Sequence, residues 1–282
     1  MIELARGLSP DDLRELAELE TRVLAADGGR LKLEWRVLRR RAGQDVDDVL
    51  WWEEGRLLGF LGLYSFGGGP TIEIAGMVDP AARRHGIATK LLDAAQPICR
   101  ERGYQRALLV TPRGSVAGRA FARSRAAVLE HSEHALVLVG APTDGPTDMR
   151  LTLRTATPAD AVELSRLLAA AFSEPPIDLA SRLAEDSART VVAELEGSTV
   201  GTVRVTRDGD TGGIYGFAVD PAWQGRGIGR DVLRRVCHEL RDKGVRRIGL
   251  EVAVENDHAL GLYTSVGFIQ RTTEDYYELP LR

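Results

Sequence analysis

The chain contains one motif twice, and this repeat constrains its fold more than any other feature. The segment V-D-P-A-A-R-R-H-G-I-A begins at Val78, and V-D-P-A-W-Q-G-R-G-I-G begins 141 residues later at Val219. Each follows an apolar, strand-like run, from Ile72 or from Ile214, and precedes an amphipathic, helix-like stretch. A glycine-bearing loop that opens a helix binds anions, because unpaired backbone N–H groups and the helix dipole point at the ligand. The sequence therefore predicts two related domains, each with an anion-binding loop.

The repeat extends beyond the loop and sets the expected domain boundaries. The same spacing of 141 residues pairs Gly103 with Gly244 in the segments that follow. Between the copies lies G-A-P-T-D-G-P-T-D, a stretch whose composition is typical of a linker. We therefore expect an N-terminal domain over 1–140, a linker over 141–149 and a C-terminal domain over 150–282.

The order of predicted elements is the same in both copies. A helix comes first, then a pair of strands, a third strand that ends at the repeated loop, a long helix, a strand and a shorter helix. Pro97 should kink or shorten the long helix of the first copy. The chain should end with two strands, around Phe268 and over Tyr276 to Leu279. This order predicts an α/β fold in which each domain is a mixed β-sheet flanked by helices.

Composition excludes several classes of protein. With 44% hydrophobic and 28% charged residues, the 282-residue chain is typical of a soluble globular protein. A net charge of −4 argues against a nucleic-acid partner, which requires a basic face. The sequence shows no apolar run of membrane-spanning length and no signal-peptide pattern. Cys99 and Cys237 are expected to be buried thiols in a reducing cytoplasm.

The loop of the second copy resembles the acetyl-CoA loop of the GNAT superfamily of N-acetyltransferases. It has the pattern Q-x-x-G-x-G from Gln224, and the first copy has R-x-x-G-x-A from Arg83. The segment L-E-V-A-V-E-N-D-H-A-L-G-L-Y-T-S-V-G-F, from Leu250 to Phe268, is similar to the second CoA motif of that family. The resemblance covers nearly the whole chain as a tandem pair. It implies acetyl-CoA as cosubstrate, an amine acceptor and no metal ion.

The chemistry of the loop agrees with this resemblance. A pyrophosphate needs several donors without bulky side chains in the way, so Gly225, Gly227 and Gly229 would allow close backbone approach. Arg226 and Arg230 add positive charge. The predicted cofactor-binding residues are Phe217, Ala218, Val219, Gln224, Gly225, Arg226, Gly227, Ile228, Gly229, Arg230 and Asn256 in the second copy, and Arg83, Arg84, His85, Gly86, Ile87 and Ala88 in the first.

The resemblance also implies roles for individual groups in the second copy. The strand before the loop would separate from its neighbour at a bulge, and an N–H near Ala218 or Val219 would polarise the thioester carbonyl. Tyr263 occupies the position of the family's general acid. Glu251, on the strand facing that helix, is the candidate base, acting directly or through water.

Each assignment has a structural alternative. Tyr263 could be a core aromatic residue with a satisfied hydroxyl, and Glu251 a solvated carboxylate or half of an ion pair. Asn256 could cap the following helix rather than contact the cosubstrate. His258 is more typical of a helix surface than of a catalytic site.

The first copy lacks both proton-transfer groups. In the ungapped register Val110 replaces Glu251 and Ala122 replaces Tyr263, while the neighbouring Phe121 has no proton to donate. We therefore expect a non-catalytic N-terminal domain that shapes the acceptor site. Glu73, on the strand before the first loop, is an exception, because some members of the family place a catalytic base on the equivalent strand.

The leading interpretation is an acetyltransferase that acts on a primary amine of a small molecule or peptide by direct attack on acetyl-CoA. The tandem arrangement is similar to that of mycothiol synthases; an acetyltransferase for protein N-termini and an acyl-CoA sensor without turnover are the alternatives. Acceptor contacts are expected in the helical region around Phe172 to Asp186. Its carboxylates could hold a cationic amine or form an ordinary solvated face; they are Glu174, Asp178, Glu185 and Asp186. A monomer is the preferred oligomeric state.

Overall fold

The structure, a computed structural model, describes residues 1–41, 43–66, 69–172, 176–184 and 188–281, with the backbone alone at 181 and 182. The chain forms two compact units. The N-terminal unit consists of Met1–Glu133 together with Thr272–Arg282, and the C-terminal unit of His134–Arg271. The N-terminal unit thus includes a segment from the far end of the chain. The domain ranges 1–140 and 150–282 describe the sequence repeat and remain a prediction.

The elements alternate between strands and helices, as the repeat predicts. The first half contains β1 (Ile2–Ala5), α1 (Pro10–Asp27), α2 (Trp35–Leu38), β2 (Asp48–Glu53), β3 (Arg56–Tyr64), β4 (Thr71–Val78), α3 (Ile87–Glu101), β5 (Arg106–Pro112), α4 (Val116–Ser124) and β6 (Val128–Val139). The second half contains β7 (Leu151–Thr155), α5 (Ala161–Phe172), α6 (Ala180–Leu183), β8 (Ala188–Leu195), β9 (Ser198–Asp208), β10 (Thr211–Val219), α7 (Ile228–Asp242), β11 (Arg247–Ala253), α8 (Asp257–Val266) and β12 (Ile269–Leu279).

In the N-terminal unit the strands lie in the order β1-β2-β3-β4-β5-β12. Neighbouring strands are antiparallel except β4 and β5, which run parallel. The parallel register begins at Thr71 opposite Arg106 and ends at Ile74 opposite Leu109, although both strands continue. The two strands therefore separate over their second halves, which opens a cleft in the sheet.

Helix α1 shows how the local sequence fixes an element of this unit. Ser9 accepts a hydrogen bond from Asp12 N, and the Asp12 carboxylate accepts one from Ser9 N, which completes a capping box around Pro10. Leu16 and Leu19 recur at helical spacing and are fully buried against the sheet.

The C-terminal unit repeats this architecture. Its strands lie in the order β11-β10-β9-β8-β7, with residues 134–139 of β6 beside β11. Strands β10 and β11 are parallel from Thr211 opposite Arg247 to Gly213 opposite Gly249, and then separate. Helices α7 and α8 cover one face, where Val232, Leu233 and other apolar side chains form the core.

Several features differ from the sequence predictions, since strands β1 and β7 and helix α2 are not among the predicted elements. Helix α3 contains Pro97 and still runs to Glu101, so the proline does not shorten it. The predicted pair of strands at the end of the chain is one continuous strand, β12, because the residues between them, including Thr272 and Thr273, are also extended. Strand β6 was not predicted. Among the described helices there is none with the length and apolar character that a bilayer crossing requires.

Candidate active site

The loop between β10 and α7 is built by a compact set of backbone conformations. Asp220 caps a short 3-10 helix, Pro221–Trp223, and its carboxylate accepts a hydrogen bond of 2.9 Å from Ala222 N. Gly225 and Gly227 then adopt positive φ angles of 76° and 82°. Helix α7 begins directly afterwards, so the N–H groups of its first turn have no acceptor within the helix. This geometry matches the predicted anion-binding loop.

The same backbone is present in the N-terminal unit. Asp79 caps the equivalent 3-10 helix by accepting a hydrogen bond from Ala81 N, and α3 begins at Ile87. Gly86 has a φ of 81°, close to the value at Gly227. Arg84, at the position of Gly225, has a φ of 69°, although positive φ is uncommon for a residue with a side chain.

The first residue of each motif stabilises the turn. Gln224 Nε2 donates a hydrogen bond of 3.0 Å to the carbonyl of Val219, the last residue of β10. Arg83 Nε donates one of 3.2 Å to the carbonyl of Val78, the last residue of β4. The amide and the guanidinium thus hold the loop against the strand in the same way, which explains why the two patterns begin with different residues.

The charged side chains of the two loops have different partners. Arg226 lies over the Trp223 ring at 4.8 Å, and Arg230 Nε donates to Ser265 Oγ at 3.0 Å. Arg83, in contrast, forms a two-fold ion pair with Asp27, at 2.8 and 2.9 Å. Its positive charge is therefore already compensated within the protein.

A cleft of about 490 Å³ in the C-terminal unit joins the loop to helix α8. It contains ten of the eleven cofactor-binding residues predicted for this copy, since Arg226 is not among its described lining residues. The lining residues are Ala171, Phe172, Phe217, Ala218, Val219, Trp223, Gln224, Gly225, Gly227, Ile228, Gly229, Arg230, Asn256, Asp257, His258, Ala259, Gly261, Leu262 and Tyr263. The structure thus brings the loop and the predicted acid Tyr263 together.

A β-bulge interrupts the strand that enters this loop. Strand β10 pairs regularly with β9 up to Tyr215, and the register shifts before Ala218 pairs with Thr202. Gly216, inside the bulge, has a φ of 51°. In the N-terminal unit, β3 and β4 pair without any shift along the whole of β4 from Glu73 to Val78. The bulge that the resemblance implies is therefore present in the second copy, and the described register of the first copy does not contain one.

Tyr263 lies on α8 with 8% of its surface exposed. Its ring is 6.3 Å from that of Phe217 and 6.1 Å from that of Phe268, between ring centroids. Burial raises the pKa of the Tyr263 hydroxyl to about 12. The phenol is therefore protonated at neutral pH, and it belongs both to the hydrophobic core and to the wall of the cleft.

Glu251 is placed differently. On β11, Ile248, Leu250 and Val252 point into the core beneath α7 and α8. Because side chains alternate along a strand, partly exposed Glu251 lies on the opposite face of the sheet. Among the described residues it does not line the cleft with Tyr263. An acid and a base on opposite faces could act on one substrate only where β10 and β11 separate.

Asn256 and the predicted acceptor region also have defined places. The Asn256 side chain accepts a hydrogen bond of 3.0 Å from Ala259 N, so it caps α8 while it lines the cleft. Phe172 lines the cleft with 47% of its surface exposed, and Asp178 caps α6 through Ala180 N at 2.9 Å. Glu174, Glu185 and Asp186 lie outside the described residues.

The N-terminal unit has a cleft of similar size, about 460 Å³. It is lined by the loop residues Arg83, Arg84, Gly86, Ile87 and Ala88, whereas His85 is not among its described lining residues. The aromatic side chain on its helical wall is that of Phe121, and Ala122 is fully buried in the core. This wall has no hydroxyl at the position of Tyr263, as the sequence predicts.

The acetyltransferase (GNAT) family model matches this chain twice, over residues 11–125 and 160–268. The chain belongs to the GNAT family. The two matches together cover most of the chain, and each contains one loop and the helix that faces it. The protein is therefore a GNAT-type acyltransferase with two GNAT domains.

Solved GNAT structures share this fold over the full chain. A GCN5-related N-acetyltransferase from Sphaerobacter thermophilus has a TM-score of 0.81 and 21% identity, over 100% of this chain and 96% of that one. A tandem GNAT protein from the clavulanic acid biosynthesis pathway has a TM-score of 0.70 and 18% identity, over 100% and 99%. A glucosamine N-acetyltransferase region of a fungal multi-domain β-N-acetylglucosaminidase has a TM-score of 0.70 and 17% identity, over 99% of this chain and 38% of that one.

Sequence reasoning missed the carboxylate that supports each GNAT loop. Asp220 caps the 3-10 helix and lies 3.4 Å from Arg166 of α5, and Asp79 has the same role with Arg22 of α1 at 2.7 Å. The signal was present in the repeated V-D-P-A, in which an aspartate before proline is typical of a capped turn. These aspartates hold the loop in place, and neither is among the described lining residues of its cleft.

Proposed function

We propose that the C-terminal unit transfers an acetyl group from acetyl-CoA to a primary amine. The observation that carries this proposal is the single cleft of about 490 Å³ in which the anion-binding loop, the bulged end of β10 and the Tyr263 side chain meet. These are the groups that would bind the cosubstrate, polarise its thioester and protonate its leaving group.

The loop would hold the pyrophosphate of acetyl-CoA. The N–H groups at the start of α7 and the positive end of its dipole provide donors and charge for an anion. The positive φ angles of Gly225 and Gly227 aim the backbone at this point, and a Cβ atom on either would meet only open space. That open space is where phosphate oxygens would lie. Arg230 lines the cleft beside it and supplies further positive charge.

The bulge in β10 would provide the donor for the thioester carbonyl. Gly216 and Phe217 have no partner in the described register with β9, so their backbone groups are not committed to the sheet ladder. An N–H placed there stabilises negative charge on the carbonyl oxygen as the amine attacks. The sequence placed this donor near Ala218 or Val219, one or two residues further along the strand.

Tyr263 would protonate the departing thiolate of CoA. Burial holds its pKa at about 12, so the proton is present at neutral pH. The leaving thiolate, whose conjugate acid has a pKa of about 8.5 by comparison with cysteine, needs only a hydrogen bond or a proton to depart. Because Phe217 and Phe268 pack against the ring, the hydroxyl is held in one position on the cleft wall.

Glu251 would take a proton from the incoming amine. It lies on the sheet face opposite Leu250 and Val252, so the amine would approach from that face while CoA lies in the cleft. Attack would be direct: the amine nitrogen bonds to the acetyl carbon, the C–S bond breaks, and CoA leaves as the thiol. The N-terminal unit, with an unbulged β4 and Phe121 on its helical wall, would not turn over an external amine.

The acceptor would be a small-molecule or peptide amine. One structural relative is a glucosamine N-acetyltransferase region, and another comes from the clavulanic acid biosynthesis pathway, which supports small amines as the first class to test. The exposed ring of Phe172 and the carboxylate of Asp257 on the cleft suit an acceptor with an apolar part and a cationic group.

The test is incubation with acetyl-CoA and a panel of amines, with products read by mass spectrometry. The panel contains amino sugars, a mycothiol precursor, peptides with free N-termini and polyamines, and Tyr263→Phe is the matched control. One acetylated product that depends on Tyr263 would support the proposal. Binding of acetyl-CoA without any product from the panel would favour the acyl-CoA sensor instead.

A further inference from the structure

The N-terminal unit contains a buried polar cluster that its GNAT loop does not explain. Lys32, between α1 and α2, has an ammonium group with only 8% of the side chain exposed. Its Nζ donates a hydrogen bond of 2.5 Å to Tyr276 Oη and lies 3.3 Å from Glu73 Oε2 and 3.8 Å from Glu133 Oε2. The ring of Phe66 lies 5.7 Å from the same nitrogen. We refer to Glu73, Glu133, Tyr276 and Phe66 as the lysine cage.

The lysine cage has the chemistry of a site for a primary ammonium group. An ammonium carries three N–H donors and no acceptor, and here two carboxylates and one phenol oxygen surround it. The ring of Phe66, 5.7 Å from the nitrogen, adds a cation–π contact. Each of the two carboxylates can also accept a proton from the ammonium group. This is the set of groups that an acyltransferase needs around an acceptor amine.

The lysine cage lies beside the cleft of the same unit. Leu31, which precedes Lys32, and Val110 both line that cleft. Tyr276 packs against Val110 and is itself buried, with 1% of its surface exposed. The Tyr276 hydroxyl in turn donates a hydrogen bond of 2.5 Å to Glu133 Oε2, so it connects the ammonium to a carboxylate. Lys32 and Tyr276 thus adjoin residues that line the cleft, and neither is among its described lining residues.

We propose that Lys32 is the resident acceptor amine of the N-terminal unit and is acetylated there once per chain. This inference rests on the proposed use of acetyl-CoA and on its binding in this second cleft. Lys32 Nζ first gives a proton to Glu73. Its lone pair then attacks the acetyl carbon, the N–C bond forms and the C–S bond breaks. A second proton from the same nitrogen passes through Tyr276 to Glu133, and CoA leaves as the thiolate, which takes a proton from water. The protons held by Glu73 and Glu133 are then released to water.

A single acetylation of Lys32 within its own chain does not require the groups that repeated catalysis needs. The unit has no bulge in the described part of β4 and no hydroxyl at the Phe121 position, which argues against rapid catalysis. An amine fixed beside the cleft compensates for this, because a positioned nucleophile reacts as if present at a very high local concentration. The product would be a neutral amide, so acetylation would remove the positive charge of Lys32 that the lysine cage surrounds.

Mass spectrometry on the full-length protein tests this inference without mutation. The chain has three lysines, and the two others are internal controls. Lys243 has 49% of its side chain exposed, and Lys90 is also exposed. Uncatalysed acetylation follows exposure and would label Lys32 last. With ¹³C-acetyl-CoA we expect Lys32 to be labelled at least about tenfold faster than Lys243 in the folded protein, and the three at similar rates after unfolding.

Variants separate this inference from the proposed function. Glu73→Gln and Glu133→Gln should each slow Lys32 labelling relative to Lys243, with thermal unfolding confirming that the unit is folded. Tyr263→Phe should abolish transfer to an external amine and leave Lys32 labelling unchanged. The inference would be overturned if Lys32 were labelled no faster than Lys243, or if its labelling depended on Tyr263 or on protein concentration. This holds whether or not an external amine is acetylated. Lys32 labelling without any external product would support it and count against the proposed function.

Discussion

Gln224 donates a hydrogen bond from Nε2 to the backbone carbonyl of Val219, at 3.0 Å. This contact joins the first residue of the loop to the last residue of the strand before it, so the loop is held before any ligand arrives. In the N-terminal unit an arginine makes the equivalent contact through Nε. The role of Gln224 is therefore to fix the shape of the loop, and either side chain can perform it.

This equivalence predicts different outcomes for two substitutions at Gln224. Gln224→Ala removes the hydrogen bond and should raise the Kd for acetyl-CoA by about three- to tenfold, because one neutral hydrogen bond contributes about 0.5–1.5 kcal/mol. Gln224→Arg should keep the affinity within about twofold, because Arg83 shows that the guanidinium reaches the same carbonyl. Isothermal titration calorimetry measures both. Equal losses in the two variants would show that Gln224 contacts the ligand itself.

Tyr263→Phe should lower kcat by about a hundredfold, the typical contribution of a general acid, with little change in the Kd for acetyl-CoA. The phenylalanine ring keeps the packing against Phe217 and Phe268, so the thermal unfolding temperature should be unchanged. Because the pKa of Tyr263 is about 12, kcat of the wild type should show no alkaline loss from this group below about pH 10. A rate within a few fold of wild type would exclude Tyr263 as the acid.

Glu251→Gln should also lower kcat by about a hundredfold, with the loss greatest at low pH, where the amine is most fully protonated. Glu255 is an exposed neighbour in the turn before α8, so Glu255→Gln is the matched control and should retain activity. Steady-state rates at several pH values make this comparison. If the two variants behave alike, Glu251 has a structural role and the base lies elsewhere.

Gly216→Val should disturb the bulge of β10. Gly216 has a φ of 51°, a conformation that costs a β-branched residue about 1–3 kcal/mol. We expect lower stability in chemical denaturation and a larger loss in kcat than in acetyl-CoA affinity, since the bulge faces the reacting carbonyl rather than the phosphates. Gly69→Ala, at a position with open space and without positive φ, is the control and should have little effect.

Asp79 predicts an acid-sensitive N-terminal unit. Burial alone would raise its pKa, but the hydrogen bond from Ala81 N and the contacts of Arg22 and Arg56 outweigh it and hold the pKa below its usual value. The unfolded chain therefore binds a proton at higher pH than the folded one does. The stabilisation from this group is complete above about pH 4 and is lost as pH falls through the folded pKa. In chemical denaturation, Asp79→Asn should lower the free energy of unfolding at pH 7 and weaken its decline below about pH 4, whereas exposed Asp11→Asn should do neither.

The sequence predicted the elements that depend on local pattern. The repeated glycines, the apolar runs and the Asn256 cap are short-range signals, and the structure has both loops, the long helices after them and Tyr263 on the cleft wall. The strand pair over β2 and β3 was also predicted, around the turn at Glu54 and Gly55.

The family resemblance implied the bulge in β10, but the repeat itself did not reveal it. Thr71 and Thr211 occupy equivalent places, opposite Arg106 and Arg247, and are 140 residues apart, whereas Val78 and Val219 are 141 apart. Strand β10 therefore contains one residue more than β4. When the two copies of the repeat are aligned without gaps, one inserted residue in this strand leaves no visible break in the repeated pattern.

The lysine cage was not predictable for a different reason. Glu73 is on β4, Lys32 lies between two helices, and Glu133 and Tyr276 are on β6 and β12. The sequence separates Lys32 from Tyr276 by 244 residues, and only the pairing of β12 with β5 brings them into one unit. No local periodicity encodes a contact of that range.

The pairing of β12 with β5 also has a consequence for how the protein is made. Residues 274–279 complete the sheet of the N-terminal unit, opposite Ala107 to Pro112, yet they follow every residue of the C-terminal unit in the chain. Domains usually fold in the order in which the ribosome releases them. Here the N-terminal unit is completed only after β12, which follows the whole of the C-terminal unit, has been synthesised. The C-terminal unit can therefore finish folding first, and the edge of β5 stays unpaired and available to other strands during that time.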